Sequence, residues 1–236
     1  MEVFLLISVV FVAVLTQSIS GFGVALVAMA FLPGLLGIQM AVPLVALVAL
    51  TLEAVLLVRY RLSLNVRAVW PMILASFIGI PIGVWGLQGL DEDLILTVLG
   101  IVIAGYALYA LFQFRLPDLR HPLWACGAGF LAGVLGGAYN TSGPPVIVYG
   151  DCRRWKPVEF KANLQGFFLL SDLFVVLNHA LSDNLSAAVW VNYLWCLPAI
   201  AAGIILGLQL DRRVNPAAFR KVVLVLLVLL GVRLVI

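Results

Sequence analysis

The sequence predicts an all-α polytopic membrane protein of two inverted repeats, each a broken helical hairpin followed by three transmembrane helices. Of its 236 residues, 64% are hydrophobic and 11% are charged, and the mean hydropathy is +1.16. Soluble domains carry about a quarter charged residues, so this composition excludes a soluble globular protein. The apolar residues also fall in runs of membrane-spanning length, and the two halves of the chain share a pattern.

Six apolar runs predict full membrane crossings. Each approaches the roughly 20 residues that a helix needs to cross the hydrocarbon core. They lie at 40–58, 68–87, 94–111, 162–180, 187–208 and 217–236.

Two further apolar segments, 3–36 and 123–149, are interrupted by small and polar residues. The second is too short for two full crossings and too polar in the middle for one, so each segment is predicted to be a hairpin of two short helices. Backbone without helical partners survives at bilayer depth only where protein or a water-lined cavity satisfies it. Such breaks are where secondary transporters bind their cargo.

The second break also carries a helix-start signal. Thr141 or Ser142 can cap a new helix, and Pro144 suits its first turn because proline has no N–H to leave unpaired. A helix that begins at mid-membrane points its positive end, with its amide donors, into the gap. This end favours an anion.

The basic residues give the topology. Thirteen of the fourteen Lys and Arg residues fall in four loops, at 59–67, 115–120, 153–161 and 212–221. The positive-inside rule places these loops in the cytoplasm. Loops 115–120 and 153–161 lie on the same side only if the segment between them enters and returns on that side, which independently predicts a hairpin there.

The two halves match at a constant shift of 120 residues. This shift aligns Gly23 with Gly143 and Gly83 with Gly203, and it aligns the Ala-Val-Trp at 68–70 with a second copy. The pattern predicts an internal repeat, with chance similarity among glycine-rich helices as the alternative.

Each half holds a hairpin and three crossings, so the second copy must run inverted relative to the first. The predicted organisation is a first membrane repeat at 1–114, a cytoplasmic linker at 115–122 and a second membrane repeat at 123–236.

The glycine motifs and the loop after the second hairpin carry a family resemblance. They are Gly21-Phe22-Gly23, the glycine-rich run 133–137 leading into Ser142-Gly143-Pro144-Pro145, and the stretch from Trp155 to Gln165. With them the chain resembles the TauE/SafE sulfite exporter family over nearly its whole length, one copy per half. The resemblance implies a permease of the cytoplasmic (inner) membrane for sulfite, organosulfonates or related small organic anions.

Residues beside the two breaks are the candidate substrate-binding set. No Lys or Arg lies in the central part of a predicted span, so an anion there would be held by dipoles and neutral donors. Local capping and close helix packing are the alternative roles for the same residues. The candidates are Ser18, Ser20, Gly21, Gly23, Asn140, Thr141, Ser142, Gly143 and Pro144.

Two carboxylates, Glu53 and Asp172, fall inside predicted spans at nearly matching places in the two halves. A carboxylate at this depth costs at least about 2.5 kcal/mol on insertion scales, so it usually faces the protein interior and has a function. We hypothesise that one or both bind and release a coupling proton. The alternative for Glu53 is that it extends toward the cytoplasmic interface or pairs with Arg59.

Asn163 and Gln165 begin a span just after a basic loop and are predicted to line a cytoplasmic vestibule. His179 is predicted to be an interfacial residue near the outer end of that span. The three cysteines have no CxxC or Cys/His cluster, so no metal site or cofactor is expected, and nothing indicates a nucleic-acid partner.

The predicted function is a multi-pass secondary transporter for a small anion, with protons as a second partner if transport is coupled. A passive anion channel or uniporter is the first alternative. It differs from a coupled transporter in needing no titrating carboxylate. A remote alternative is an intramembrane serine hydrolase with Ser142 as nucleophile and His179 as base, which requires the two side chains within hydrogen-bonding reach. The sequence does not predict the oligomeric state.

Overall fold

The computed structural model describes residues 2–89, 91–112, 117–119, 121–211 and 216–235. Within these ranges the chain is helical with no strand. The helices of the first half are α1 (Glu2–Ser20), α2 (Val24–Met29), α3 (Pro33–Leu36), α4 (Ile38–Tyr60), α5 (Val66–Gly89) and α6 (Glu92–Phe112), with a 3-10 turn (Arg61–Ser63) after α4. Those of the second half are α7 (Pro122–Tyr139), α8 (Gly143–Cys152), α9 (Pro157–Leu181), α10 (Ala187–Leu210) and α11 (Pro216–Val235).

The helices confirm an all-α polytopic membrane protein. In the part of the chain that the structure describes, seven helices are long and apolar enough to cross a membrane: α1, α4, α5, α6, α7, α9 and α10. The six predicted full crossings correspond to α4, α5, α6, α9, α10 and α11. The predicted linker at 115–122 and the predicted basic loop at 212–221 lie partly outside the described residues.

The interrupted segments differ from the prediction of two short helices. Helices α1 and α7 have 19 and 18 residues, or about 28 Å at 1.5 Å per residue, which is close to the thickness of the hydrocarbon core. Only their partners α2 and α8 are short, with 6 and 10 residues. Helix α1 continues through its polar end because Thr16 and Ser18 donate 2.8 Å hydrogen bonds to the carbonyls of Val12 and Val14.

The secondary structure repeats with the 120-residue shift. Helices α1, α2, α4, α5 and α6 correspond in order to α7, α8, α9, α10 and α11. Helix packing follows the same correspondence, because α5 packs on α7 as α10 packs on α1. Gly83 contacts the Val134 backbone in the first interface, and Gly203 contacts Val14 in the second. These two contacts are exact counterparts under the shift.

Helices α4 and α9, which correspond to each other, pack together in opposite directions. The Asn65 amide, just beyond α4, donates to Asn163 Oδ1 at 2.8 Å near the start of α9. Further along α9, Asp172 contacts Glu53, which is earlier in the chain than Asn65. An inverted repeat requires this antiparallel arrangement. The inversion stays a prediction that these contacts support.

Candidate functional site

The first break is built by glycines in the left-handed region. Helix α1 ends at Ser20, and Gly21 and Gly23 have φ angles of 87° and 112°, which glycine adopts at little cost. The Gly21 amide still donates to the Gln17 carbonyl at 2.7 Å. The chain then reverses into α2 at Val24.

The second break uses asparagine for the same purpose. Asn140 has a φ of 52° and ends α7, and its amide donates to the Gly136 carbonyl at 2.8 Å. This is a left-handed helix C-cap, for which asparagine is the common alternative to glycine. Helix α8 begins three residues later at Gly143.

An amide side chain ties each break to a carboxyl group on the helix that faces it. Gln17 Oε1 accepts from the Val24 amide at 3.0 Å, and Gln17 Nε2 donates to Glu53 Oε1 at 3.5 Å. In the other half, Asn140 Nδ2 donates to Asp172 Oδ2 at 3.4 Å. Gln17 is not among the residues predicted from the sequence. Its signal was available, as the one amide side chain in the apolar sequence of α1, four residues before Gly21.

The two carboxyl groups, Glu53 and Asp172, line the same small cavity and interact with each other. Each residue is 2% exposed. Glu53 Oε2 and Asp172 Oδ1 have no hydrogen-bond partner among the described residues. Two carboxylate charges about 4 Å apart would repel by about 4 kcal/mol at an effective dielectric constant of 20, and a proton held between them removes that repulsion. Because Glu53 is buried and accepts a hydrogen bond from Gln17, its side chain does not extend toward Arg59. The Arg59 guanidinium instead lies 5.8 Å from the centre of the Tyr60 ring.

A small cavity lies between the breaks and the carboxyl pair. Its walls include Gln17, Gly23, Glu53 and Asp172 together with residues 140–143. Its volume is about 20 Å³, enough for one or two water molecules. A larger occupant requires the walls to move apart. Of the predicted binding residues, the structure thus brings Gly23, Asn140, Thr141, Ser142 and Gly143 together.

Three hydrogen-bond donors of the cavity come from the start of α8. Thr141 Oγ1 has no hydrogen-bond partner within the described ranges, and the Ser142 side chain makes no capping bond. Pro144 and Pro145 have no N–H, so the donors at this end are the Gly143 amide and the two hydroxyl groups. The positive end of α8 adds to their attraction for negative charge.

Three predicted binding residues of the first break lie elsewhere. The Ser18 hydroxyl is bonded back to its own helix, and its side chain packs against Gly207. The Ser20 hydroxyl bonds to the Thr16 carbonyl at 2.7 Å and lines a separate, largely apolar cavity beside α11. Gly21 lies against the Lys161 side chain. Pro144 is buried behind the wall of the cavity. Their roles in binding stay predictions.

The two vestibule candidates are fully buried and join segments of the protein. Asn163 accepts the Asn65 amide, and Gln165 Nε2 donates to the Gly21 carbonyl at 2.6 Å. Neither is among the residues that line the cavity. Gln165 instead holds the first break against α9.

His179 lies in the last turn of α9 and is fully buried in the protein. The loop after α9 folds over it: the Asn184 amide donates to the His179 carbonyl at 2.9 Å, and Asn184 Nδ2 lies 3.0 Å from His179 Nδ1. His179 is not among the described residues that line the cavity with Ser142. The geometry therefore gives no nucleophile and base pair of the kind that a serine hydrolase needs.

Comparison with known proteins agrees with this architecture. The family model for the sulfite exporter TauE/SafE matches residues 6–234. The chain is 27% identical over 225 residues to a probable sulfite/organosulfonate exporter TauE of Cupriavidus necator, covering 92% of this chain and 88% of that protein. It is also 27% identical over 170 residues to a probable inner membrane transporter protein TsaS of Comamonas testosteroni, covering 71% of each. No solved structure gives a significant match.

The family model covers nearly the whole chain, and both relatives match across the two halves. The described helices supply the multi-pass membrane architecture that such proteins need. The chain therefore belongs to the TauE/SafE sulfite exporter family and is a multi-pass transporter of the inner membrane, not an enzyme.

Proposed function

We propose that the protein is a proton-coupled permease that moves a small sulfur oxyanion, sulfite or an organosulfonate, through the cavity between its two broken helices. The names of the two relatives support this class of cargo. The observation that carries the proposal is the contact between Glu53 and Asp172, each of which is tied by an amide to one of the breaks. Through these hydrogen bonds, the charge of the carboxyl pair can affect the break in each half of the protein.

The anion binds at the start of α8. The Thr141 and Ser142 hydroxyls and the Gly143 amide offer three donors around one small space, and the helix end contributes partial positive charge. A site of neutral donors holds an anion without an ion pair, so the anion can also leave. Ser142→Ala is expected to weaken anion binding and leave folding intact, and unchanged binding would rule Ser142 out as a ligand.

The carboxyl pair makes anion binding depend on protons. The pair lines the same cavity as the donors, so a negative charge on it repels the incoming anion. Uptake of one proton by the pair lowers that repulsion, and the proton and the anion then move together. For a monovalent anion this is an electroneutral symport of one proton per anion.

The packing of the glycine-rich helices suggests which parts move. Helices α5 and α7 make close backbone contact at their glycines, and α1 and α10 pack together at Gly203 and Gly207, so each pair combines one helix from each half. Close packing at small residues makes each pair a rigid unit. Access then alternates by movement of these pairs against the central α4 and α9, which carry Glu53 and Asp172, in the manner of other inverted-repeat transporters.

The test is uptake into liposomes that contain the purified protein. Sulfite, methanesulfonate and acetate are compared at two transmembrane pH differences. Saturable uptake of the two sulfur anions that follows the pH difference supports the proposal. Saturable uptake that ignores pH identifies a uniporter or channel instead, and uptake of acetate alone contradicts the assigned cargo.

A further inference from the structure

Lys161 joins four elements at the end of the molecule that the charge pattern places in the cytoplasm. Its Nζ donates to the Ile19 carbonyl and to Asp211 Oδ1, both at 2.8 Å. The Tyr60 hydroxyl donates to Asp211 Oδ2 at 3.3 Å, and the Lys161 ammonium lies 5.8 Å from the centre of the Tyr60 ring. The Lys161 and Asp211 side chains are only 18% and 16% exposed. The cluster thus links α1, α4, α9 and the end of α10.

One hydrogen bond of Lys161 falls on the Ile19 carbonyl, among the last carbonyls of α1. These groups have no partner within the helix, and they form its negative end, which a cation stabilises. Gln165, one turn further along α9, donates to the Gly21 carbonyl at 2.6 Å. The first break is therefore fixed to α9 by two side chains, one of which is charged.

The position of Lys161 on α9 relates the cluster to the cavity. Residues 161, 165, 168 and 172 share one face of the helix because they are spaced by three or four residues. Phe168 and Asp172 line the cavity, and Lys161 is seven residues, or about 10 Å, from Phe168 toward the predicted cytoplasmic end. The cluster lies between the cavity and that end of the molecule.

The opposite side of the protein has different chemistry at the matching positions. The 120-residue shift relates Lys161 to Ala41 and Gln165 to Val45, and both counterparts are fully buried apolar residues. Asp211 corresponds to Asp91, which accepts the Asp93 amide at 3.0 Å. The hydrogen bonds of Lys161 and Gln165 therefore lie on one side of the cavity, and buried apolar residues occupy the equivalent positions on the opposite side.

We propose that Lys161 is a gating residue for transport: its bonds to Ile19 and Asp211 hold the cytoplasmic entrance to the cavity closed and break when that entrance opens. The inference rests on the proposed function only in taking the cavity as the transport site. It predicts that the protein without the Lys161 ammonium spends more time open to the cytoplasm.

The test measures how fast a cysteine in the cavity reacts with a membrane-impermeant thiol reagent. Ala25 lines the cavity, so Ala25→Cys is placed in a background in which Cys126, Cys152 and Cys196 are replaced by alanine. The reagent is applied separately to each face of the membrane. Lys161→Met is expected to raise the labelling rate from the cytoplasmic face about tenfold, as for the loss of a charge-assisted hydrogen bond, and to lower the rate from the outer face.

Matched variants separate gating from general loosening of the fold. Lys156→Met removes an exposed lysine that directly precedes α9 and should leave both rates unchanged. Asp211→Asn should reproduce the effect of Lys161→Met in part, and Lys161→Arg should restore slow labelling because it keeps a cation at the helix end. If Lys161→Met folds poorly, Asp211→Asn supplies the test.

The outcomes separate the gating role of Lys161 from the identity of the transported anion. Unchanged cytoplasmic labelling in both Lys161→Met and Asp211→Asn, or an equal rise with Lys156→Met, overturns the assignment of the gate. Faster labelling from the cytoplasmic face supports the gate even if none of the tested anions is transported, a result that would instead contradict the proposed cargo.

Discussion

Removing one carboxyl group from the Glu53–Asp172 pair should impair transport more than removing both. In Asp172→Asn, the new amide can donate to Glu53, which already accepts from Gln17 Nε2. Two donors then stabilise the Glu53 carboxylate in its charged form, beside the donors that bind the anion. The double variant Glu53→Gln/Asp172→Asn has no charge at this position.

The size of the effect follows from Coulomb's law for two charges in one small site. A fixed carboxylate about 6 Å from a bound anion repels it by about 2.8 kcal/mol at an effective dielectric constant of 20. This energy corresponds to roughly 100-fold weaker binding. Asp172→Asn should therefore bind methanesulfonate about 100-fold more weakly than the double variant does.

Coupling gives a second quantity to measure. One proton per monovalent anion gives about tenfold accumulation for each unit of pH difference, since tenfold is worth about 1.4 kcal/mol. The unmodified protein should reach this ratio in liposomes. The double variant should equilibrate methanesulfonate to equal concentrations on both sides at any pH difference, because its site holds no titrating group.

The assay is the steady-state accumulation of radiolabelled methanesulfonate, with binding measured on the same preparations. Methanesulfonate keeps a single negative charge across the accessible pH range, so only the protein responds to pH. Tenfold accumulation per pH unit by the double variant, or equal affinities for the single and double variants, would refute the role given to the carboxyl pair.

Three further predictions test the supporting structure. Gln17→Leu leaves the Val24 amide and the Glu53 carboxyl without their partner and should lower the free energy of unfolding by about 1–3 kcal/mol, measured as the shift of the thermal unfolding midpoint in detergent. Gly137→Ala places a methyl group against the Ile80 carbonyl and should cost about 1–3 kcal/mol by the same measurement. Gly127→Ala, on the same helix but with open space around it, should be neutral or stabilising. Thr141→Val should weaken methanesulfonate binding about tenfold, since hydrogen bonds to charged groups contribute about 1.5–3 kcal/mol, whereas Ser8→Ala, whose hydroxyl bonds to the Phe4 carbonyl, should not.

The sequence predicts most of the fold because membrane helices are governed by length and hydropathy. The helices at the six predicted crossings and the two breaks follow from local patterns of apolar residues, glycine and proline, while the repeat stays a prediction. The lengths of α1 and α7 do not follow from these patterns, because the polar residues at the end of α1 resemble an interruption of the helix. Thr16 and Ser18 satisfy their hydroxyls on the preceding turn of the helix, so the helix continues through them.

The residues that line the cavity were predicted in part. Asn140, Thr141 and Ser142 follow from the helix-start signal, and the two intramembrane carboxylates stand out as charged residues in apolar runs. Their contact with each other depends on the antiparallel packing of α4 and α9, which no local pattern contains. Gln17 is marked in the sequence as the one amide side chain of α1, but its bonds to Val24 and Glu53 depend on tertiary packing in the same way.

Ser18 and Ser20 show the limit of reasoning from position alone. Both lie beside the first break, as predicted, yet their hydroxyls bond to carbonyls of their own helix. Serine in a helix has this local option whenever the carbonyl four residues earlier is within reach. Proximity to a break therefore predicts the neighbourhood of a side chain but not the direction of its hydrogen bond.

The most direct test of the central claim is the number of protons that enter with each anion. Liposomes containing the unmodified protein and a trapped pH indicator are given methanesulfonate, with the membrane potential clamped by potassium and valinomycin. Proton-coupled transport predicts one proton per anion, and Asp172→Asn should abolish the proton signal. Anion entry by the unmodified protein without proton movement would contradict the account.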